Sequence, residues 1–383
     1  MATRMTQSAP MLFGVGALAE LGDELAILGA KKAIIITDKG VTGAGVTEKV
    51  EKAVRSAGII CSVYDDCLSD APSDSIPVAA SAIRAAEADV IIALGGGSSM
   101  DTAKAASLII NEDRPITDFM GPPSRKPNRP IITIPTTSGT GSEVTPFGVI
   151  SNSADSKKFG IGITGAELAI IDPELTVGLP PNITAWCGMD VVAHCVEAIT
   201  GSMRNPMSDI RGYEALHLVK AHLLSAVNDG SNIIAREGMS LASSLAGLAF
   251  CDSVTTLGHS IAQALASVYH LHHGLLCGLA TPPQLEIFSS VVPERVRKIA
   301  QIFGADVPDD ATPEQIGKIS ADIMRAFMSQ IKIPSIVQLG YSREDIVNQT
   351  DILMQESMKD ISPLPITRDI AYHALDLMCD YTG

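Results

Sequence analysis

No C-x-x-C pair occurs in this chain, although seven cysteines are spread along it: Cys61, Cys67, Cys187, Cys195, Cys251, Cys277 and Cys379. An odd, scattered set argues against a disulfide framework and against a thiolate zinc site, and fits a reducing compartment. No apolar run approaches the roughly 18 residues that a membrane span requires. The opening stretch MATRMTQSAPMLFG lacks the apolar core of a signal peptide. The expectation is a soluble, cytoplasmic protein without a membrane partner. Basic residues are also short, 28 Lys and Arg against 43 Asp and Glu, for a formal net charge of -15. Such an excess of negative charge disfavours sequence-independent binding of nucleic acid or anionic membrane and leaves small molecules as the natural ligands. Internal repeats and low-complexity tracts are absent too.

What the chain does have is enough apolar residue to build a core: 46% hydrophobic and 19% charged over 383 residues. That length suggests two domains. The first 180 residues alternate strand-like and helix-like segments. KKAIIITD, IICSVYDD, DVIIALGGGS and RPIITIPTT read as strands, and VTEKVEKAVRSAG, SIPVAASAIRAAEA and SMDTAKAASLII as helices. Near-continuous apolar strands alternating with helices imply a parallel sheet covered on both faces. After DPELTVGLPP the β-branched runs end and long helical patterns take over. Pro180 and Pro181 mark the expected boundary between an α/β domain, 1–180, and an all-helical domain, 181–383.

Two glycine loops compete for a dinucleotide phosphate. GVGALA, from Gly14, matches G-x-G-x-x-A but follows only MLF, too short for a secure strand; it reads equally as a helix-entry turn. VIIALGGGSSMDTAK, from Val90, runs a convincing strand into Gly95, Gly96, Gly97 and Ser98 and then into a helix. Glycines let backbone N–H groups approach an anion, and a helix start favours negative charge. Asp38, at the end of the AIIIT strand, can bond a ribose 2′-hydroxyl and repel a 2′-phosphate, or simply cap a helix. TIPTTSGTGSEVT, residues 133–145, supplies hydroxyls to the same neighbourhood or is merely a turn.

Histidine is concentrated. Four of the eight, His259, His270, His272 and His273, fall in GHSIAQALASVYHLHHG. Upstream, Asp190 and His194 in GMDVVAHCVEA are spaced i, i+4 and share one helix face. They form either a hydrogen-bonded core pair or half of a metal site. With His259 and His273 they offer one carboxylate and three imidazoles, a competent set for a divalent ion with one position open. No sulfur ligand is implied, and nitrogen and oxygen donors suit Fe(II), Zn(II) or a similar ion.

In order and spacing, GGGSSMDTAK, PTTSGTGSEVT, IDPELT, GMDVVAHCVEA and GHSIAQALA with its later HHG resemble the iron-containing (group III) alcohol dehydrogenases along nearly the whole chain. The likeness is to the branch of lactaldehyde reductase and 1,3-propanediol dehydrogenase more than to glycerol dehydrogenase or dehydroquinate synthase. The resemblance implies a Rossmann-like α/β N-terminal domain and an all-α C-terminal domain, the dehydroquinate synthase-like fold, with substrate between them. It implies hydride transfer between NAD(H) and a small primary alcohol or aldehyde, with one divalent metal, Fe(II) ahead of Zn(II), polarising the substrate oxygen. A homodimer or higher homo-oligomer is implied as well. Carried over by position, the metal ligands are Asp190, His194, His259 and His273. The cofactor contacts are Asp38, Gly96, Gly97, Ser98, Asp101, Thr136, Thr137, Thr140, Ser142 and Lys158, so GVGALA loses the phosphate role. Phe250, Cys251 and Asp252 fall on the substrate pocket.

Three departures stand out. Gln263 occupies the place of a histidine that many relatives carry four residues after the third ligand to relay the substrate proton, and glutamine cannot titrate. His272, just before a ligand, replaces a frequent proline and is a candidate substitute relay. Asp252 replaces a usual asparagine. Two alternatives stay open: a lyase of the dehydroquinate synthase type on the same fold and, on Gln263 alone, a catalytically impaired cofactor-binding homologue.

Overall fold

The structure is a computed structural model that describes residues 9–121, 125–154, 157–163 and 165–383. Residues 1–8, with which the expected first domain begins, lie outside the described residues. The chain divides into two compact units, and the change falls between Leu179 and Pro180.

The first unit is built on eight strands: β1 Met11–Phe13, β2 Lys32–Ile36, β3 Ile60–Tyr64, β4 Val90–Gly95, β5 Ile131–Pro135, β6 Phe147–Ser151, β7 Lys158–Gly162 and β8 Leu168–Ile171. Six form one parallel sheet in the order β1-β8-β5-β4-β2-β3. Every residue of β4 and β5 is buried, as strands covered on both faces must be. Period-two alternation sends the side chains into two separate cores. Ile34, Ile36, Ile91, Ala93 and Ile131 enter one; Ala33, Ile35, Ile92, Leu94, Ile132 and Ile134 enter the other. Helices α1 Leu21–Ile27, α2 Lys39–Gly43 and α3 Val46–Ser56 follow β1 and β2. Val46, Val50 and Val54, one turn apart on α3, join Leu21 and Leu25 in the second core. Helices α4 Ile76–Ala85 and α5 Gly97–Ile109 cover the first core.

Four strands differ from the reading of the sequence. MLF is a strand, short but held by parallel pairing of Met11, Leu12 and Phe13 with Ala169, Ile170 and Ile171. The strand β8 that makes this possible went unread. So did the antiparallel pair β6–β7 beside the sheet. GVGALA, by contrast, is the helix-entry turn of the sequence reading, opening a short 3-10 helix at Ala17–Glu20.

The second unit is helical: α6 Pro181–Thr200, α7 Pro206–Asn228, α8 Ile233–Ser253, α9 Leu257–Tyr269, α10 His273–Phe288, α11 Pro293–Ile302, α12 Pro313–Gln330, α13 Arg343–Val347, α14 Thr350–Leu353 and α15 Arg368–Met378. Pro181 opens α6 where its missing N–H costs nothing. From Cys187 to Thr200 every residue of α6 is buried, so this helix is the axis of the unit. Among the described residues no single helix is long and apolar enough to cross a membrane. Helices α8 and α9 reach that composition only as a pair bent by 102°.

Candidate metal centre and dinucleotide site

The helical unit gathers His194, His259 and His273 with Asp190. Asp190 and His194 lie one turn apart on α6, His259 in the first turn of α9, and His273 at the start of α10. A single carboxylate oxygen is the centre. Asp190 Oδ1 stands 3.9 Å from His194 Nδ1, 3.7 Å from His259 Nε2 and 3.8 Å from His273 Nε2. These separations exceed hydrogen bonds. Donors on one tetrahedral ion, with bonds of about 2.1 Å, lie about 3.4 Å apart, so the spacing is that of ligands around an ion. Asp190 Oδ1 is buried and has no hydrogen-bond partner among the described residues. A buried carboxylate oxygen in that condition calls for a cation. Burial pushes the Asp190 carboxyl up, but the charges of His194, His273 and His259 and a hydrogen bond from Cys277 outweigh it and hold it at about 2. The residues therefore fit a divalent metal.

Close helix packing sets this geometry. A Cβ at Gly274 would lie 2.4 Å from the Trp186 carbonyl oxygen and 3.2 Å from the Asp190 Cβ, and one at Gly278 would lie 2.8 Å from the Met189 Cβ. Only hydrogen at those positions lets α10 come close enough to α6 to bring His273 up to Asp190.

Two residues that were not singled out in the sequence belong here. Glu197, one turn beyond His194 and fully buried, accepts from His259 Nδ1 at 2.8 Å and from the His259 backbone N–H at 3.1 Å, and its second oxygen accepts from the Thr256 N–H. A carboxylate only accepts, so Nδ1 carries the proton and Nε2 is left facing Asp190. The signal was present: Glu197 continues the Asp190 and His194 face at three to four residues. The other is Cys277, whose sulfur lies 3.5 Å from His273 Nε2. Ligand atoms of Asp190, His259, His273 and Cys277 all fall within 4.8 Å of one another. The reading that no sulfur is implied thus meets a thiol within the donor cluster, four residues after His273.

Phe250 stacks flat on His194, with ring centroids 4.2 Å apart and planes 10° from parallel. Cys251 and Asp252, half-buried, follow it at the end of α8. Gln263 is half-buried on α9, one turn after His259. His272 is exposed and packs its ring against Trp186 at 5.1 Å. His270 is exposed, in left-handed conformation, and ends α9.

In the α/β unit the expected cofactor residues collect at the carboxyl ends of β2, β4 and β5. From β2 the chain moves outward to β3, and from β4 it moves the other way to β5, so the order reverses between β2 and β4. Ligands of open α/β sheets bind outside such a reversal. Asp38 and the glycine triplet flank it. Asp38 caps α2 by accepting from the Val41 N–H at 3.0 Å, and its other oxygen accepts from Ser99 Oγ at 2.8 Å. Asp38 thus caps a helix, and its second oxygen bonds a serine at the start of α5. Gly96 precedes α5 and no side chain caps that helix. A Cβ at Gly97 would lie 2.9 Å from Thr140 Cγ2, so glycine lets the two loops touch. The Thr136 N–H donates to the Gly95 carbonyl at 3.0 Å, and Thr137 faces Gly96. The Ser98 hydroxyl accepts from the Asp70 N–H at 3.0 Å.

Asp101 is buried and accepts from Ser142 Oγ at 2.7 Å and the Val149 N–H at 2.9 Å. Burial raises its pKa against the pull of Lys104 and those hydrogen bonds. The Lys104 ammonium, fully buried, lies 2.6 Å from the Ser142 carbonyl, 2.8 Å from Ser142 Oγ and 2.8 Å from the Phe147 carbonyl. This pair ties α5 to the loop of residues 136–147. Lys158, on β7, donates to Asp70 at 2.6 Å. Asp38, Gly96, Gly97, Ser98, Thr137 and Thr140 are thus drawn together, whereas Asp101 and Ser142 brace the loop from beneath.

Two family models match the chain: iron-containing alcohol dehydrogenase over residues 8–173, and the C-terminal domain of the Fe-containing alcohol dehydrogenase family over residues 184–375. A choline dehydrogenase of Bacillus subtilis is 33% identical over 93% of this chain and 89% of its own length. An NAD-dependent methanol dehydrogenase of Bacillus methanolicus is 33% identical over 91% of this chain and 92% of its own. The crystal structure of a sulfoacetaldehyde reductase from Bifidobacterium kashiwanohense in complex with NAD+ superposes with a TM-score of 0.87. It is 31% identical and covers 100% of this chain and 98% of that one.

Proposed function

This chain belongs to the iron-containing alcohol dehydrogenase family, and from that premise we propose how its own residues divide the work. The reaction is hydride transfer between NAD(H) and a small alcohol or aldehyde, assisted by a metal. The observation that carries the residue assignment is the single buried oxygen of Asp190 with three imidazole nitrogens around it.

Asp190, His194, His259 and His273 would hold the metal, Fe(II) or Zn(II), which when bound supplies Lewis acidity to the substrate oxygen. Glu197 fixes the His259 tautomer so that Nε2 is available to the ion. Phe250 keeps the His194 ring in place and, with Cys251 and Asp252, lines the substrate side. NAD(H), when bound, would be the hydride donor or acceptor. Gly96, Gly97 and Ser98 would seat its pyrophosphate at the start of α5, where backbone N–H groups and the helix dipole favour an anion. Asp38 would take the adenosine ribose and disfavour a 2′-phosphate. Thr136, Thr137, Thr140 and Ser142 would line the rest of the cofactor, Asp101 would brace them, and Lys158 would reach the nicotinamide ribose. Gln263 neither gives nor takes a proton, so the alcohol proton leaves by water or by His272. The protein works as a cytoplasmic homodimer or higher homo-oligomer.

Gln263 is also the observation that favours a second reading, an impaired homologue that binds cofactor without turnover. The deciding experiment is metal analysis of anaerobically purified protein with an NADH-oxidation screen over short aldehydes. About one metal per chain, with turnover lost on chelation and restored by one ion, supports the dehydrogenase. Full metal and tight NADH binding without turnover on any aldehyde supports the second reading. Continuous net NADH oxidation also separates the dehydrogenase from a dehydroquinate synthase-type lyase, which regenerates its NAD within each cycle.

A further inference from the structure

We propose that the sulfur of Cys277 is itself a donor to the metal, which makes this a mixed sulfur, nitrogen and oxygen site. The inference rests on the metal-site reading above and extends it.

Cys277 follows His273 by one turn of α10, as His194 follows Asp190 by one turn of α6. Each helix therefore presents two donors on one face. The sulfur lies 3.5 Å from His273 Nε2, the nitrogen that also faces Asp190 Oδ1. One nitrogen and one sulfur bound to the same tetrahedral ion, at about 2.1 and 2.3 Å, stand about 3.6 Å apart. The tight group of four ligand atoms is Asp190, His259, His273 and Cys277. His194 Nδ1 has the longest of the three imidazole distances to Asp190 Oδ1, at 3.9 Å. The Asp190 oxygen is an independent sign that a cation belongs at this place: it is buried, aimed into the cluster and without a hydrogen-bond partner among the described residues. Cys277 is buried, and its neighbour Gly278 sits against Met189, where even a Cβ would be 2.8 Å away.

The chemical consequence is a softer site. Thiolate selects Zn(II) and other soft ions over the hard ones that a carboxylate and imidazole set accepts. The bound thiol is deprotonated, so loading releases a proton that a sulfur-free set would not.

Cobalt(II) reads this directly, because thiolate bound to cobalt gives an intense near-ultraviolet charge-transfer band and imidazole or carboxylate does not. The full chain is stripped of metal under a phosphine reductant and titrated anaerobically with Co(II). The expected result is that band in the wild type, saturating near one ion per chain. It is absent from Cys277→Ser and Cys277→Ala, while the visible ligand-field bands remain. Chelator competition should show Zn(II) bound on the order of 10-fold more weakly by Cys277→Ala. Ligand-field bands in the wild type without the charge-transfer band overturn sulfur ligation and leave the Asp190 and histidine site standing. A charge-transfer band that survives in both variants overturns it as well, by placing another thiol on the ion. No cobalt bound by the wild type overturns the metal-site reading together with this one. The wild-type spectrum decides even where a variant fails to fold.

Discussion

Single side chains carry the sharpest consequences. Glu197 holds the His259 ring through Nδ1 and also receives two backbone N–H groups. Glu197→Gln turns an amide N–H toward at least one of those donors. Metal affinity should fall about 10- to 100-fold while the fold is kept, as chelator competition will measure. An unchanged affinity would show that His259 needs no such partner. Lys104 is the cation on which Ser142, Thr145 and Phe147 converge. Lys104→Met leaves those oxygens, and the buried Asp101, without it. Denaturant unfolding should show a loss of about 3 kcal/mol or more, and titration calorimetry weaker NAD+ binding.

Asp190 also predicts a pH window. Its folded pKa of about 2 lies below the ordinary carboxyl value. The stability it contributes is thus present above roughly pH 4 and is lost only as pH falls through 2. Imidazoles must be neutral to ligate, so their protonation expels the ion. Metal should therefore leave during dialysis at stepped acid pH, before the carboxylate titrates. Retention of the metal at pH 4 would contradict the assignment of histidine donors.

At the scale of elements, the approach of α10 to α6 is the adjustable quantity. Gly274→Ala puts a methyl 2.4 Å from a backbone carbonyl that cannot rotate away. The helices must separate, and metal binding should drop to or below one tenth of wild type with a visible loss of stability. An alanine variant that binds metal normally would show that the site tolerates a wider gap. Elements also show what a linear reading catches and misses. The strands with unbroken isoleucine runs and the helices with valine every fourth residue were legible because periodicity records burial. β1 and β8 were not, since three and four residues carry little periodicity, and β1 is a strand by pairing with β8, which in turn pairs with β5. β6 and β7 were hidden by glycine and serine, residues that score as loop.

For the whole molecule, a ligand that binds only the native state adds stability by mass action. At a hundredfold excess over its Kd, about 2.7 kcal/mol is expected. The one tryptophan, Trp186, lies one turn before Asp190 and touches His272, so it can report this. Its fluorescence-monitored urea midpoint should rise on adding Zn(II) or Fe(II) and fall back with chelator. No shift at saturating metal would argue against an ion at this site.

That Asp190 and His194 share a helix face, and that a glycine run joins a buried strand to a helix, was readable from the chain because spacing and periodicity record both. The two-unit organisation was readable because composition changes where Pro180 and Pro181 interrupt it. Other features came only from the folded chain. That the Cys277 thiol stands beside His273 and Asp190 depends on two helices meeting where Gly274 and Gly278 have no side chain. That Asp38 both caps a helix and bonds Ser99 depends on two strand ends lying side by side. Such contacts join residues some 60 to 90 positions apart, and their distances are set by packing, for which no local pattern in the chain provides a ruler.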